Sequence, residues 1–458
     1  MKTFQIHKFG GSCLRNQKQI NHLVSTLSKF VNNENKIVVV VSAIYGVTDL
    51  IRYCIENLFK ETNIILETAK AINNKHQKYI ADFPELGEIN RVLLKNFCQI
   101  LNNAKLKNSI SNEDTDKVLV IGEKFVSQVI PKYIGKNIQD INAICLTPEE
   151  LGLITDGEFF NAVINFDQNF DSIIEIFNSY STKGEIIVVP GFYGVDYLNN
   201  ITTFGPSGTD YTACALANIL NAERAILWKD VNGFMSADPK VVVDSFSIDH
   251  LEYNEAAELA HFGAKILHMR AVFPAELKNI PIEVRNMYNS NKTIIMSNSN
   301  RDYLPYKSIA YIKHVTLIKV YLSNKTRQIK VLQSIIEVFS KNNLTILAIT
   351  TSSTAFGFLV DKSKADGTKN IALPNSYDIV KTEEIENISM ICIVGKNIGE
   401  KSGIATKIIQ SISNENVNID FISAGASPNT LQFTVKQAEL EKSVNILHNN
   451  LFPKIINL

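Results

Sequence analysis

Across roughly the first 300 residues, short β-branched runs alternate with amphipathic helical stretches: FQIHKF, then RNQKQINHLVSTLSKFVNN, then KIVVVVSA, then VTDLIRYCIENLF. Strands buried on both faces read as continuous apolar runs, and helices covering them carry a single apolar stripe. The rhythm therefore predicts an α/β unit over 1–300 with a mainly parallel central sheet under helices. Further buried strands are expected at VLVI (118–121), INAICL (141–146), EIIVVPGF (185–192), RAILW (224–228) and IEVRN (282–286). Residues 60–115 are polar and helical, the pattern of an insertion carried above the sheet.

After the turn-rich NSNKTIIMSNSNRDYLP the pattern changes to two smaller units, 312–388 and 389–458, which resemble each other. Asn343-Leu344-Thr345-Ile346 followed by Ile349-Thr350 recurs as Asn416-Val417-Asn418-Ile419 followed by Ile422-Ser423, each time after an amphipathic helix. Each unit reads β-α-β-β-α-β, a ferredoxin-like arrangement.

Lysine plus arginine balance aspartate plus glutamate at 46 each, which offers no basic field for nucleic acid or an anionic membrane. The expected partners are small molecules and other subunits. Six cysteines occur singly, without Cys-x-x-Cys pairs, and are read as buried thiols of a reducing compartment. MKTFQIHKFGG lacks the features of a signal peptide, and IVVVVSAIYGV is too short to span a bilayer. A cytoplasmic protein is expected.

Three clusters carry candidate chemistry. Lys8-Phe9-Gly10-Gly11-Ser12 ends the first strand, where free N–H groups and a helix start favour an anion such as phosphate; the same pattern also serves as a plain tight turn. The loop TTFGPSGTDYTA (202–213) supplies N–H and O–H donors able to surround a transferring phosphoryl group. Asp210 lies in the helical turn that follows, either as a capping carboxylate or as a group organising a lysine or a metal. The third cluster, Trp228 to Lys240 (WKDVNGFMSADPK), is either a loop over a nucleotide or an exposed turn. Downstream, NEAAELAHFGAKILH is expected to be one helix with Lys265 near its end, as a phosphate ligand or a solvated cation. His261 and His268 share that stretch without a completing ligand set, and no metal-binding side chains are assigned.

In order and spacing, KFGGSC, VSAIYGVTDLI, IGEKFVSQ, TTFGPSGTDYTA, WKDVNGFMSADPK and EAAELAHFGAKILH together resemble the aspartate kinases of the amino acid kinase family. The C-terminal repeats resemble ACT domains, which bind regulatory amino acids. The resemblance covers nearly the whole chain. It implies a three-layer αβα kinase domain, two ACT domains, and in-line transfer from ATP with Mg²⁺ to the side-chain carboxylate of aspartate or a similar acid. By this resemblance Lys8, Asp210 and Lys265 are the catalytic group. Lys8, Gly10, Gly11, Ser12, Lys229, Asp230, Met235, Lys240 and Lys265 contact ATP. Thr48, Glu123, Ser207, Gly208, Thr209 and Asp210 form the acceptor pocket, with Glu123 meeting the substrate ammonium.

One departure concerns the acceptor. Where the family places an arginine that grips the substrate α-carboxylate, this chain has Pro206. Loss of a bidentate clamp weakens binding unless another cation substitutes. A kinase for a different carboxylic acid, or a weakly catalytic ACT-type ligand-binding protein, are the alternative readings. ACT pairing implies a homodimer or dimer of dimers with an amino acid effector. The residue that is acidic in lysine-sensitive relatives corresponds here to Leu347.

Overall fold

The computed structural model describes residues 3–31, 35–181, 185–264, 266–297, 305–323, 327–362, 378–424 and 426–452. The chain divides into two compact units, one of residues 1–234, 247–257 and 265–300, the other of residues 235–246, 258–264 and 301–458.

The first unit is built on strands β1 (Thr3–Phe9), β2 (Asn35–Val41), β3 (Ala143–Cys145), β4 (Ile186–Pro190), β5 (Tyr193–Val195), β6 (Ile201–Thr203), β7 (Arg224–Lys229), β8 (His250–Leu251), β9 (Ile282–Asn286) and β10 (Lys292–Ile295). Eight of them form one sheet in the order β3-β4-β2-β1-β7-β9-β10-β8, while β5 and β6 form a separate hairpin. Pairing is parallel from β3 through to β9, and only β9 and β10 run antiparallel. One face is packed by Phe9, Val39 and Val41 against helices Gln17–Ser28, Val47–Glu56, Ile64–Asp82, Leu86–Lys107 and Ile121–Asn137. The other receives the wholly buried helix Gly208–Ile219, which packs on β1, β2 and β7 and on helix Met269–Glu276. Three layers result.

Register explains where chemistry can occur. Phe9 lies opposite both Val41 and Trp228, and Val41 opposite Pro190, so the carboxyl ends of β1, β2, β4 and β7 are level. The residues leaving those strands meet at one edge, the usual position of a ligand crevice in a parallel sheet.

The second unit contains β11 (Ser308–Leu322), β12 (Thr345–Thr351), β13 (Ala355–Asp361), β14 (Ile379–Val394), β15 (Phe421–Ala424) and β16 (Thr430–Lys436), in the antiparallel order β12-β13-β11-β14-β16-β15. Two cores divide this sheet. Helix Gln328–Lys341 packs on Ile318, Val320 and Phe358; helices Ile404–Ser413 and Leu440–Leu451 pack on Ile309, Ile391 and Phe433. The long strands β11 and β14 therefore serve both repeats, one half each, and the change falls at register shifts between Ile312 and Leu317 on β11. The second repeat takes an outer strand from the chain before the first, so the two are interleaved. Residues 312 and 389, where the repeats begin in the sequence, lie inside these strands. The repeated asparagines have a physical basis: Asn343 and Asn416 both adopt left-handed φ values, 52° and 58°, just past a helix end. The following N–H groups, of Leu344 and Val417, return to the carbonyls of Phe339 and Ile412.

Three local expectations are corrected. VLVI is no strand: Val118 and Leu119 end helix Asn112–Leu119 and Ile121 begins the next, so this apolar run is the buried side of a helix junction. NEAAELAHFGAKILH is not one helix, since Tyr253–His261 stops before Gly263, whose φ of +106° leaves the helical region. Of the six cysteines, Cys98 and Cys145 are only half-buried, although all are free thiols. Among the described residues no helix is long and apolar enough to cross a membrane.

Candidate active site

Lys8 leaves β1 almost wholly buried, where an unpaired ammonium would be costly. Its Nζ lies 2.6 Å from Asp210 Oδ1, and the Nζ of Lys229, at the end of β7, lies 2.8 Å from Asp210 Oδ2. A carboxylate on the helix over the sheet thus bridges two lysines from adjacent strands. Burial lowers the Lys8 pKa, the Asp210 charge opposing it and Lys229 adding to it. Burial alone would raise the Asp210 carboxyl, but the two ammonium groups outweigh it and hold it below its usual range. Asp210 is therefore anionic and fully committed, and the capping alternative is set aside: the helix N-cap is Ser207, whose side chain makes no cap bond.

Glycine and left-handed geometry shape the rim. A Cβ on Gly10 would stand 3.0 Å from Lys8 Nζ, so the turn after β1 leaves room for the ammonium. The turn closes through Cys13 N–H to Gly10 O and Leu14 N–H to Gly11 O. Gly205 has φ +74° and passes so close to Phe160 O that a Cβ would clash at 2.6 Å. Ser207 holds φ 56°, a strained value for a residue with a side chain. This loop is fastened by a residue that motif reading missed: buried Asp116 accepts from Phe160 N at 3.1 Å, Thr203 N at 2.8 Å and Thr203 Oγ1 at 2.8 Å.

A cleft of about 360 Å³ opens on this cluster. Lys8, Gly10, Gly11 and Ser12 line it with Lys229 and Asp230; Thr48, Glu123 and the Ser207–Asp210 segment complete it. Twelve predicted site residues thus share one cavity. Ser42, Arg52, Phe192 and Pro206 line it too. Helical phase was the available signal for Arg52, which is one turn beyond Thr48 on helix Val47–Glu56. Asp230 is half-exposed and paired with Arg15 at 3.3 Å. Met235 and Lys240 belong to the second unit and do not line this cleft. Lys265 lies outside the described residues.

Glu123 is the most unusual group of the cleft. It is 2% exposed, Oε2 has no hydrogen-bond partner among the described residues, and Ser42 Oγ lies 3.5 Å from Oε1. Burial raises its pKa to about 7, against hydrogen bonds from backbone N–H groups and Ser42 and the charge of Arg52. Gly122 permits this placement, because a Cβ there would meet Ala43 Cβ at 2.6 Å. A buried carboxyl half-ionised near neutrality, facing a cavity, is fitted to receive a cation.

The sequence profile of the amino acid kinase family matches residues 3–286, from the start of β1 to the end of β9, a span that contains every residue lining the cleft. The chain belongs to the amino acid kinase family. An ACT domain profile matches residues 391–451. Among relatives of this kinase-family chain, "Aspartokinase 2, chloroplastic" of Arabidopsis thaliana is 26% identical over 98% of the chain and 84% of its own length. "Lysine-sensitive aspartokinase 3" of Escherichia coli is 26% identical over 99% of the chain and 100% of its own length. The solved structure of E. coli aspartokinase III with aspartate and ADP superposes with a TM-score of 0.80 at 24% identity, covering 98% of this chain and all of that one. Clostridium acetobutylicum aspartate kinase gives 0.78 at 22% identity, over 98% of this chain and all of its own. The kinase fold with its C-terminal ACT region is shared.

Proposed function

We propose that the chain is an aspartate kinase, transferring the γ-phosphoryl group of ATP to the side-chain carboxylate of L-aspartate. The observation that carries this is the pairing, in one cleft, of a buried two-lysine, one-carboxylate cluster with Glu123, whose Oε2 has no hydrogen-bond partner among the described residues. The first suits a transferring phosphoryl group, the second a substrate ammonium. A substrate carboxylate oxygen bonds to the γ-phosphorus as the bond to the ADP oxygen breaks, and the charge ends on ADP. No general base is needed, because the nucleophile is already an anion at neutral pH.

Lys8 faces the charge that grows between the two reactants, and Asp210 holds Lys8 and Lys229 in position. The Gly10–Ser12 turn lies against the phosphates, and Lys265, by the family resemblance, adds a second phosphate cation. Mg²⁺ would neutralise the nucleotide phosphates when bound. Of the three carboxylates that line the cleft, Asp210 is engaged by two lysines and Glu123 is assigned to the substrate ammonium, so Asp230 would be the side chain to hold the ion; among the described residues no group of three His, Cys, Asp or Glu side chains is placed to bind a metal. The ACT pair is proposed to bind an amino acid effector, a reading supported by a relative solved in complex with lysine and aspartate, and the chain to assemble as a homodimer or dimer of dimers.

Pro206 favours one second reading, a kinase for another carboxylic acid. Hydroxamate trapping with ATP, Mg²⁺ and a panel of aspartate, glutamate and related acids separates the two. Aspartate is expected to give the largest kcat/KM. Preference for a different acid supports the second reading, and no turnover of any acid contradicts both.

A further inference from the structure

An α-amino acid carries its ammonium and carboxylate on one carbon. If Glu123 receives the ammonium, the α-carboxylate comes to rest beside another buried carboxyl, and two anions there repel unless a cation stands between them and solvent. Among the described residues three cationic side chains line the cleft: Lys8, Lys229 and Arg52. The two lysines are both engaged by Asp210. Arg52 makes no hydrogen bond or ion pair with any described residue, although its charge is felt at Glu123. It is exposed at the cleft and shares a helix face with Thr48, one turn earlier. Pro206, on the loop that also lines the cleft, offers neither charge nor donor.

We propose that Arg52 receives the α-carboxylate of the acceptor and thereby selects α-amino acids, an assignment resting on the amino acid acceptor reading above. The guanidinium presents a planar pair of donors matched to a carboxylate, and no described residue holds it in a bond that would have to be displaced. Arg52 is a positioning and specificity residue. It acts on the end of the substrate remote from the reacting carboxylate.

Steady-state kinetics of the full chain with aspartate and ATP test this in Arg52→Ala and Arg52→Lys. Arg52→Ala is expected to raise the aspartate KM ~30- to 100-fold, with kcat within ~3-fold and the ATP KM within ~2-fold. Arg52→Lys should fall between, because a lysine keeps the charge but loses the second donor. Calorimetric titration with aspartate reads the same loss without turnover, and an unchanged melting temperature excludes misfolding. An aspartate KM within ~2-fold of wild type in Arg52→Ala, or equal losses for aspartate and ATP, overturns the assignment while leaving the kinase reading intact. A wild-type enzyme that phosphorylates only acids without an α-amino group, or that neither binds nor turns over any amino acid, overturns both.

Discussion

Lys8 and Glu123 are both buried and both titratable, yet their environments prepare them for opposite tasks. Lys8 is kept charged by Asp210 against the effect of burial, so its loss removes a positive charge from the transfer site. Lys8→Met should lower kcat by ~100- to 1,000-fold, the effect of losing one strong electrostatic contact in a closed site, and hydroxamate formation rates measure it. Glu123, with its pKa pushed up to about 7, pairs with an ammonium only when ionised. The kcat/KM for aspartate should therefore rise with pH through about 7 and level off above it. Glu123→Gln should remove that step and lower kcat/KM at least ~100-fold. Folding carries the opposite sign: a carboxyl with a raised pKa contributes most below the unfolded carboxylate range, and that contribution is lost as pH rises through about 7. Lys8 and Asp210 were legible in the sequence because each sits in a glycine-flanked motif. The Lys229–Asp210 contact was not, since it depends on the register that levels the ends of β1 and β7.

At the scale of elements, the loop Gly205–Ser207 owes its position to Asp116, on a helix that the sequence reading partly took for a strand. Short apolar runs such as VLVI fit a buried strand and a buried helix face equally well, and the helical neighbours on both sides decide the matter. With that stretch misread, Asp116 had no visible partner. Replacing it with alanine leaves Phe160 N–H, Thr203 N–H and the Thr203 hydroxyl unsatisfied in a buried setting. Asp116→Ala should cost about 3 kcal/mol of stability in denaturant unfolding and raise the aspartate KM, as the loop that borders the acceptor loosens. An unchanged midpoint would show that the three bonds are replaced by water. By contrast, the helix after that loop and the strands β1, β2, β4, β7 and β9 were readable directly, being long, strongly apolar and bounded by turn residues.

On the scale of the whole molecule, the repeat was visible but its interleaving was not. Similar segments announce two copies of a unit, whereas the sharing of β11 and β14 depends on pairings between distant parts of the chain. Within this sheet, β12 is an edge strand, and its register shift between Ile346 and Ala348 leaves Leu347 as the extra residue of a bulge. An aliphatic side chain there has no charge to offer the ammonium of lysine. Added lysine should leave aspartate turnover flat, and inhibition by lysine would mean that another residue supplies the contact.

The central claim is that this cleft makes an acyl phosphate from ATP and an amino acid. Its most direct test is ³¹P NMR of the full chain with ATP, Mg²⁺ and aspartate, with ADP quantified in the same sample. The account predicts an acyl phosphate resonance that grows in step with ADP and is lost in Lys8→Met. ADP and inorganic phosphate formed without acyl phosphate, at a rate indifferent to aspartate, would contradict it.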